Sequence, residues 1–343
     1  MFTRTPFLDT LVLRDTSKKT PRHMESASRL VRIERKVVEA ADICSFELVD
    51  PDGQSLPPFS AGSHVDVQLR TGLVRQYSLC NDPRETHRYL IAVLRDPNSR
   101  GGSIGMHALE VGQTISISDP KNHFSLERDA HHSLLFAGGI GITPILCMAE
   151  RLANVGAKFD LHYCTRSPDR TAFIDRIRRS TFAKDTHFHH DNGAASQKLD
   201  IAAAVSRPQR DAHLYVCGPT GFMEAVLSGA RRAGWAEDAL HREYFAAAPV
   251  DTSQDGSFEV QIASTGVVIH VEAGQSVVAA LSAAGIEVPT SCEQGVCGTC
   301  LTRVIDGTPD HRDMYLTPDE QAKGDQFMPC CSRAKSARLI LDL

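Results

Sequence analysis

The stretch SCEQGVCGTC (291–300) sets Cys292, Cys297 and Cys300 four and then two residues apart, with Gly295 and Gly298 among them. Thiolates in C-x4-C-x2-C spacing, followed by a distant cysteine, suit a [2Fe–2S] cluster. The glycines let backbone N–H groups come close to the negative sulfurs. The distant cysteine comes after a gap of 29 residues, in MPCCSR (328–333). Cys330 and Cys331 compete for the role. Neighbours in an extended segment point to opposite sides, so one of the two reaches the cluster; Cys330 is taken as the fourth ligand. Structural zinc is the alternative, but zinc knuckles usually pair two C-x2-4-C loops. Here a single loop meets an adjacent pair.

Other stretches suit nucleotides. In NSRGGSIG (98–105), Gly101 and Gly102 can turn successive N–H groups inward as an anion nest, and Ser103 adds a hydroxyl. The same letters fit G-x-S-x-G, the serine-hydrolase elbow. An elbow needs a strand running into the serine and a helix straight after. Here PNSR follows the strand YLIAVLRD, and the glycines read as a loop. In AGGIGITP (137–144), Gly138, Gly139 and Gly141 permit close approach to a pyrophosphate. Thr143 and Pro144 read as N-cap and first helical residue, so a helix N-terminus faces the anion. TRS (165–167) ends the next strand, where an adenosine ribose would lie, and Arg166 could take a 2′-phosphate. HFHHD (187–191) puts His187 and His189 on one strand face. It reads as an exposed strand end, with a metal site as the alternative.

The elements that must position these residues fall into three groups. Residues 1–27 show little periodicity and read as an N-terminal extension; Met24 could be the natural start. Residues 28–128 hold short alternating runs such as HVDVQLR and QTISISDP between turn residues, which suggests a small antiparallel β-barrel. Residues 129–246 alternate strand and helix, from SLLFAGG to GFMEAVLSGARRAG, as in a doubly wound parallel α/β sheet. A polar, small-residue linker follows (247–256). Residues 257–343 form a compact α+β domain: the strands FEVQIAS and VVIHVEA, the helix SVVAALSAAG, the cysteine loop, LTRVID and RLILDL.

The chain has 343 residues, a net charge of −5 and ten cysteines. No apolar run reaches membrane-span length, and no signal peptide is seen, so a cytoplasmic protein with no membrane partner is expected. Ten cysteines then point to metal or redox chemistry. Charge gives no nucleic-acid footprint. From Ser257 onward there are 11 acidic and 6 basic residues, whereas the remainder balances at 31 of each. The acidity therefore lies with the cysteine loop, as a solvated surface or as a docking face for a basic partner.

In this order the motifs resemble the phthalate dioxygenase reductase family, which includes the vanillate demethylase reductases. Its members are similar to ferredoxin–NADP reductases with a plant-type ferredoxin at the C-terminus. The match runs from about residue 28 to 343. The resemblance implies a flavin barrel, an NAD-binding sheet domain and a β-grasp ferredoxin domain. Arg75-Gln76-Tyr77-Ser78 matches the family's RxYS motif. Arg75 then pairs with a phosphate, the Tyr77 ring lies against the isoalloxazine with its hydroxyl free, and Ser78 hydrogen-bonds the flavin edge. Gly101, Gly102 and Ser103 would serve the flavin phosphate. In VCGPTGF (216–222), Cys217 and Gly218 would line the nicotinamide; otherwise Cys217 is a small buried hydrophobe. In HREYF (241–245), Phe245 would cover the flavin until nicotinamide displaces it, with plain core as the other reading. Ser78, Cys217 and Phe245 are thus the catalytic candidates.

The family implies FMN over FAD and NADH over NADPH. Electrons would pass from NADH through flavin and cluster to a terminal Rieske-type oxygenase acting on an aromatic compound. A cytochrome P450 acceptor, a non-catalytic redox sensor, a zinc-stabilised binding module and a hydrolase are the alternatives.

Overall fold

The computed structural model describes residues 28–99, 101–206, 210–245, 252–253 and 255–343. The expected extension (1–27) and most of the linker lie outside them.

Period-two alternation builds the first unit. Val31 and Ile33 in β1 (Ser28–Ala40), and Val65 and Val67 in β3 (Ser63–Gln68), are fully buried. The other strands are β2 (Ile43–Val49), β4 (Val74–Ser78), β5 (Tyr89–Leu94), β6 (Thr114–Ser118) and β7 (Lys121–Asn122). They pair in the order β4-β3-β6-β1-β2-β5, with β7 on β3. A bridge between Leu79 and Ile91 joins the two ends, so the sheet closes and no edge is left there.

A short helix, α1 (Gly102–His107), follows β5. The loop expected for the glycines is therefore corrected: Gly102 and Ser103 open a helix. Gly101, at φ 93°, swings the chain into it without a capping side chain, so no N-cap residue marked it. Lys36 Nζ donates to the His107 and Leu109 carbonyls at 2.8 and 2.9 Å and holds its far end.

The second unit runs β8 (His132–Gly138), α2 (Ile142–Asn154), β9 (Phe159–Thr165), α3 (Ile174–Arg179), β10 (Thr186–His190), α4 (Ile201–Val205), β11 (Ala212–Cys217), α5 (Thr220–Arg232) and β12 (Leu240–Glu243). The parallel order β10-β9-β8-β11-β12 winds outward both ways from β8. The switch point thus lies between the carboxyl ends of β8 and β11, where ligands bind in such sheets. Leu135, Leu161 and Tyr163 share one core with Ile145 and Met148 of α2 and with Ile43, Cys80 and Leu90 of the barrel. Barrel and sheet are therefore joined by continuous apolar packing.

Thr143 is not an N-cap. A 3-10 turn (Gly139–Gly141) runs directly into α2, the cap position falls on Gly141, and Thr143 is buried inside the first turn. With no break in the chain to cap, its hydroxyl donates back to the Ile140 carbonyl at 3.1 Å.

The third unit comprises β13 (Phe258–Ile262), β14 (Val268–Val271), α6 (Val277–Ala283), β15 (Thr302–Asp306), β16 (Pro309–Asp310), α7 (Pro318–Lys323), β17 (Gln326–Phe327), β18 (Arg333–Ala334) and β19 (Arg338–Leu341). Its main sheet has the order β14-β13-β19-β15-β17, with β13 and β19 parallel. Ser276 caps α6, and its Val277, Ala280 and Leu281 enter the core with Cys300 and Cys330. The cysteine loop is thus held by this core. No helix of the described residues is long and apolar enough to cross a membrane.

Candidate electron-transfer centre

β4 carries the RQYS motif. Register with β3 sets Arg75 opposite Val67 and Tyr77 opposite Val65. Arg75 and Tyr77 therefore share the side of the core valines, and Gln76 and Ser78 take the other. Arg75 lies against α1: a Cβ on Gly102 would stand 2.8 Å from its Cγ. The two stretches assigned to the flavin phosphate are thus in contact, and any larger residue at 102 must displace the Arg75 side chain. Ser103 Oγ accepts from the Asp96 N–H at 3.1 Å. Tyr77 packs partly against the barrel core, and burial raises its phenol pKa. It is not among the residues that wall the cavity described below.

At the switch point two backbones touch. A Cβ on Gly141 would stand 2.2 Å from the Cys217 carbonyl oxygen, and one on Gly218 would stand 2.9 Å from the Gly138 Cα. Gly138, Gly141, Cys217 and Gly218 are therefore brought together by close approach. Gly139, at φ 54°, turns the chain there. Cys217 is fully buried; burial first, then the neighbouring Glu243, pushes its thiol well up. Arg166 stands apart and exposed beyond β9. In HFHHD, His189 meets His162 at 3.1 Å and His187 is part-exposed. Among the described residues no group of three or more His, Cys, Asp or Glu is arranged to hold a single metal ion.

Glu243 was not anticipated. It ends β12, opposite Cys217 in register, and Ser78 Oγ of the barrel donates to its Oε2 at 3.3 Å. Burial raises its carboxyl to about 8, against the pull of the Ser78 bond. Phe245, two residues on, is 39% exposed, so the plain-core reading is corrected. Nothing local in HREYF marks Glu243, because its partner Ser78 lies in the other domain.

The four cysteines Cys292, Cys297, Cys300 and Cys330 are buried and close together. The Cys292 thiol acts on that of Cys297, and the Cys330 thiol on those of Cys292 and Cys300; backbone N–H groups of Gln294 and Thr299 donate to the sulfurs of Cys292 and Cys297 at 3.3 and 3.5 Å. The Cys331 sulfur lies against the loop at Gly295, where a Cβ would stand 2.3 Å from it. The neighbouring thiols, then burial, push the Cys297 and Cys300 thiols up. Thiols that resist ionisation alone are ones that bound cations would deprotonate. Four buried thiols from one loop and a later segment are a donor set that fits a [2Fe–2S] cluster. All ten cysteines are free.

Barrel, sheet and cysteine domain meet at one cavity of about 860 Å³. Its wall includes Arg75, Gln76 and Ser78 from β4, His241, Glu243 and Phe245 from the end of the sheet domain, and Cys292 and Cys297 from the loop. His64, also in the wall, is held down to about 4 by burial, although Asp66 pulls the other way. This architecture defines an electron-transferring oxidoreductase of modular type.

Comparison with known proteins agrees. Residues 260–335 match the 2Fe-2S iron-sulfur cluster binding domain, and residues 135–228 the oxidoreductase NAD-binding domain. The chain is 58% identical over 319 residues to a vanillate O-demethylase oxidoreductase of a Pseudomonas species, covering 93% of this chain and 98% of that one. It is 60% identical over 307 residues to another from Pseudomonas putida, covering 89% and 96%. A solved structure of phthalate dioxygenase reductase, described as a modular structure for electron transfer from pyridine nucleotides to [2Fe–2S], matches with a TM-score of 0.75 at 41% identity, covering 93% of this chain and 99% of that one. The chain belongs to the phthalate dioxygenase reductase family, with the vanillate O-demethylase oxidoreductases among its relatives.

Proposed function

We propose that this chain is the NADH-dependent reductase component of a Rieske-type aromatic oxygenase system, and that the reaction it feeds is O-demethylation of vanillate or a similar methoxylated aromatic acid. The observation that carries the reading is the shared cavity, where the flavin-motif strand, the end of the nicotinamide domain and two cluster cysteines face one space. The identity to two vanillate O-demethylase oxidoreductases supports the substrate class.

When bound, FMN accepts hydride from NADH and the cluster carries single electrons, so one NADH is oxidised, one proton is released and two one-electron acceptors are reduced. The chain's residues position these groups. Arg75, Gly101, Gly102 and Ser103 hold the flavin phosphate, with Tyr77 beside the ring. Gly138, Gly139 and Gly141, with the α2 N-terminus that contains Thr143, hold the pyrophosphate. Cys217 and Gly218 line the nicotinamide, and Ser78 and Glu243 orient the edge where hydride arrives. Phe245 shields the flavin, and Arg166 faces the adenosine ribose. Cys292, Cys297, Cys300 and Cys330 ligate the cluster. We place the protein in the cytoplasm, where its ten free thiols stay reduced.

The test is the visible spectrum of purified protein under anaerobic conditions, before and after NADH. Flavin and iron–sulfur bands that bleach on addition are expected. Intact protein that shows neither band after reconstitution with FMN, iron and sulfide overturns the reading.

A further inference from the structure

The outer side of β3 holds a carboxylate shared by two domains. Asp66 stands opposite Gln76 in register, next to the flavin-motif residues. Its Oδ1 accepts from Gln76 Nε2 at 3.0 Å and from Ser291 Oγ at 2.9 Å, and its Oδ2 accepts from Lys121 Nζ at 2.7 Å. Ser291 immediately precedes Cys292 and is 3% exposed. A second contact lies nearby: the rings of His123 in the barrel and Tyr315 meet edge to face at 6.4 Å. Tyr315 in turn backs the loop, since a Cβ on Gly298 would stand 2.4 Å from its ring. Two points of the cysteine loop are thus tied to the barrel wall that carries RQYS.

We propose that Asp66 is a positioning residue, which through Ser291 docks the cysteine loop on the flavin barrel and so sets the rate of electron passage from flavin to cluster; the kinetic half of this rests on the function proposed above. One carboxylate oxygen bonds both the flavin-motif strand and the residue before the first cysteine. Any shift of the loop away from the barrel breaks that bond. Burial favours the neutral acid at Asp66, but the bonds to Lys121, Gln76 and Ser291 outweigh it and lower the pKa, so the acceptor stays charged. Bonds to a charged acceptor are the stronger kind. The chain reaches the cysteine domain from the barrel only through the whole sheet domain and a linker of small and polar residues, so no direct covalent connection sets the loop against the barrel.

The Lys121–Asp66 pair also joins β7 to β3, so an Asp66 variant alone would not separate docking from barrel stability. The side-chain hydrogen bond of Ser291 among the described residues is the one to Asp66, and Ser291 takes no part in the Lys121 pair. The experiment is stopped-flow reduction of the holoenzyme by NADH, reading flavin and cluster bleaching separately on the iron-loaded fraction, with small-angle scattering of the same samples. Ser291→Ala and Asp66→Ala are expected to slow cluster bleaching about tenfold, the loss of one hydrogen bond to a charged group. Flavin bleaching in Ser291→Ala keeps the wild-type rate, and scattering shows an expanded particle. Ser291→Thr, which keeps the hydroxyl, restores both readouts. Wild-type cluster rate and dimensions in Ser291→Ala overturn the proposal, as does equal slowing of both phases. Should wild-type protein pass no electrons from NADH to the cluster, the functional reading fails, and the scattering comparison still decides the docking.

Discussion

Cys292, Cys297 and Cys300 come from one stretch of nine residues and need only Cys330 from elsewhere. Ser78, Cys217 and Glu243 come from three strands in two domains, and Ser78 reaches the other two only because a common apolar core joins barrel to sheet. The first centre is local in sequence and is held by the core of its own domain. The second is an interface, and its geometry is a property of how two domains pack. The cysteine centre should therefore fail all at once when a ligand is removed, whereas the junction should respond by degrees.

The largest effect is expected at the cysteines. Cys330→Ser should lose essentially all iron–sulfur absorbance, whereas Cys331→Ser should keep nearly all of it. The Cys330 thiol acts on those of Cys292 and Cys300, whereas the Cys331 sulfur lies against Gly295. The measurement is iron content with the visible spectrum. The reverse result would exchange the fourth ligand, and equal loss in both would mean that the loop does not distinguish the two faces.

The same contrast explains what could be read from sequence. The cysteine spacing is a local chemical constraint, so it is visible as letters. The barrel strands are legible because alternation follows burial, as Val65 and Val67 show. Glu243 was invisible as a site residue because its partner Ser78 lies 165 residues away and only domain packing joins them. The helix α1 was missed because its start depends on the backbone of Gly101 and not on a capping side chain. Thr143 misled because Thr-Pro is a common helix opening, yet the preceding glycines had already begun the turn. The plain-core reading of Phe245 failed because an aromatic residue at a domain junction can face a cavity as readily as a core.

A middle-sized effect is expected at Glu243. Its folded pKa of about 8 exceeds the usual carboxylate value of 4.5. The folded protein therefore holds a proton that the unfolded chain has released, and stability falls as pH rises from about 4.5 to about 8, then levels off. Glu243→Gln removes this dependence. Its melting temperature should exceed that of wild type by a margin that grows across that window and is constant above it. The gain at the plateau is on the order of 2 kcal/mol, discounted from full linkage because the cavity admits water. A margin independent of pH would mean that Glu243 is ionised throughout, and the junction would then hold a fixed charge where burial argues for a neutral acid.

The smallest effect is expected at the rim of the cysteine loop. Glu293 is exposed and adjoins Cys292, in a domain with 11 acidic and 6 basic residues from Ser257 onward. A charge at a rim acts on encounter and hardly at all on the internal steps. Glu293→Gln should slow reduction of the oxygenase by less than about threefold at low ionic strength, where the Debye length is long. It should leave flavin and cluster bleaching by NADH unchanged. The difference should vanish at high salt, since screening removes what the carboxylate contributed. Equal rates at every ionic strength would mean that the acidity of this domain is a solvated surface and that the partner reads shape instead. The contrast with the junction would then sharpen, because neither centre would owe its rate to long-range charge.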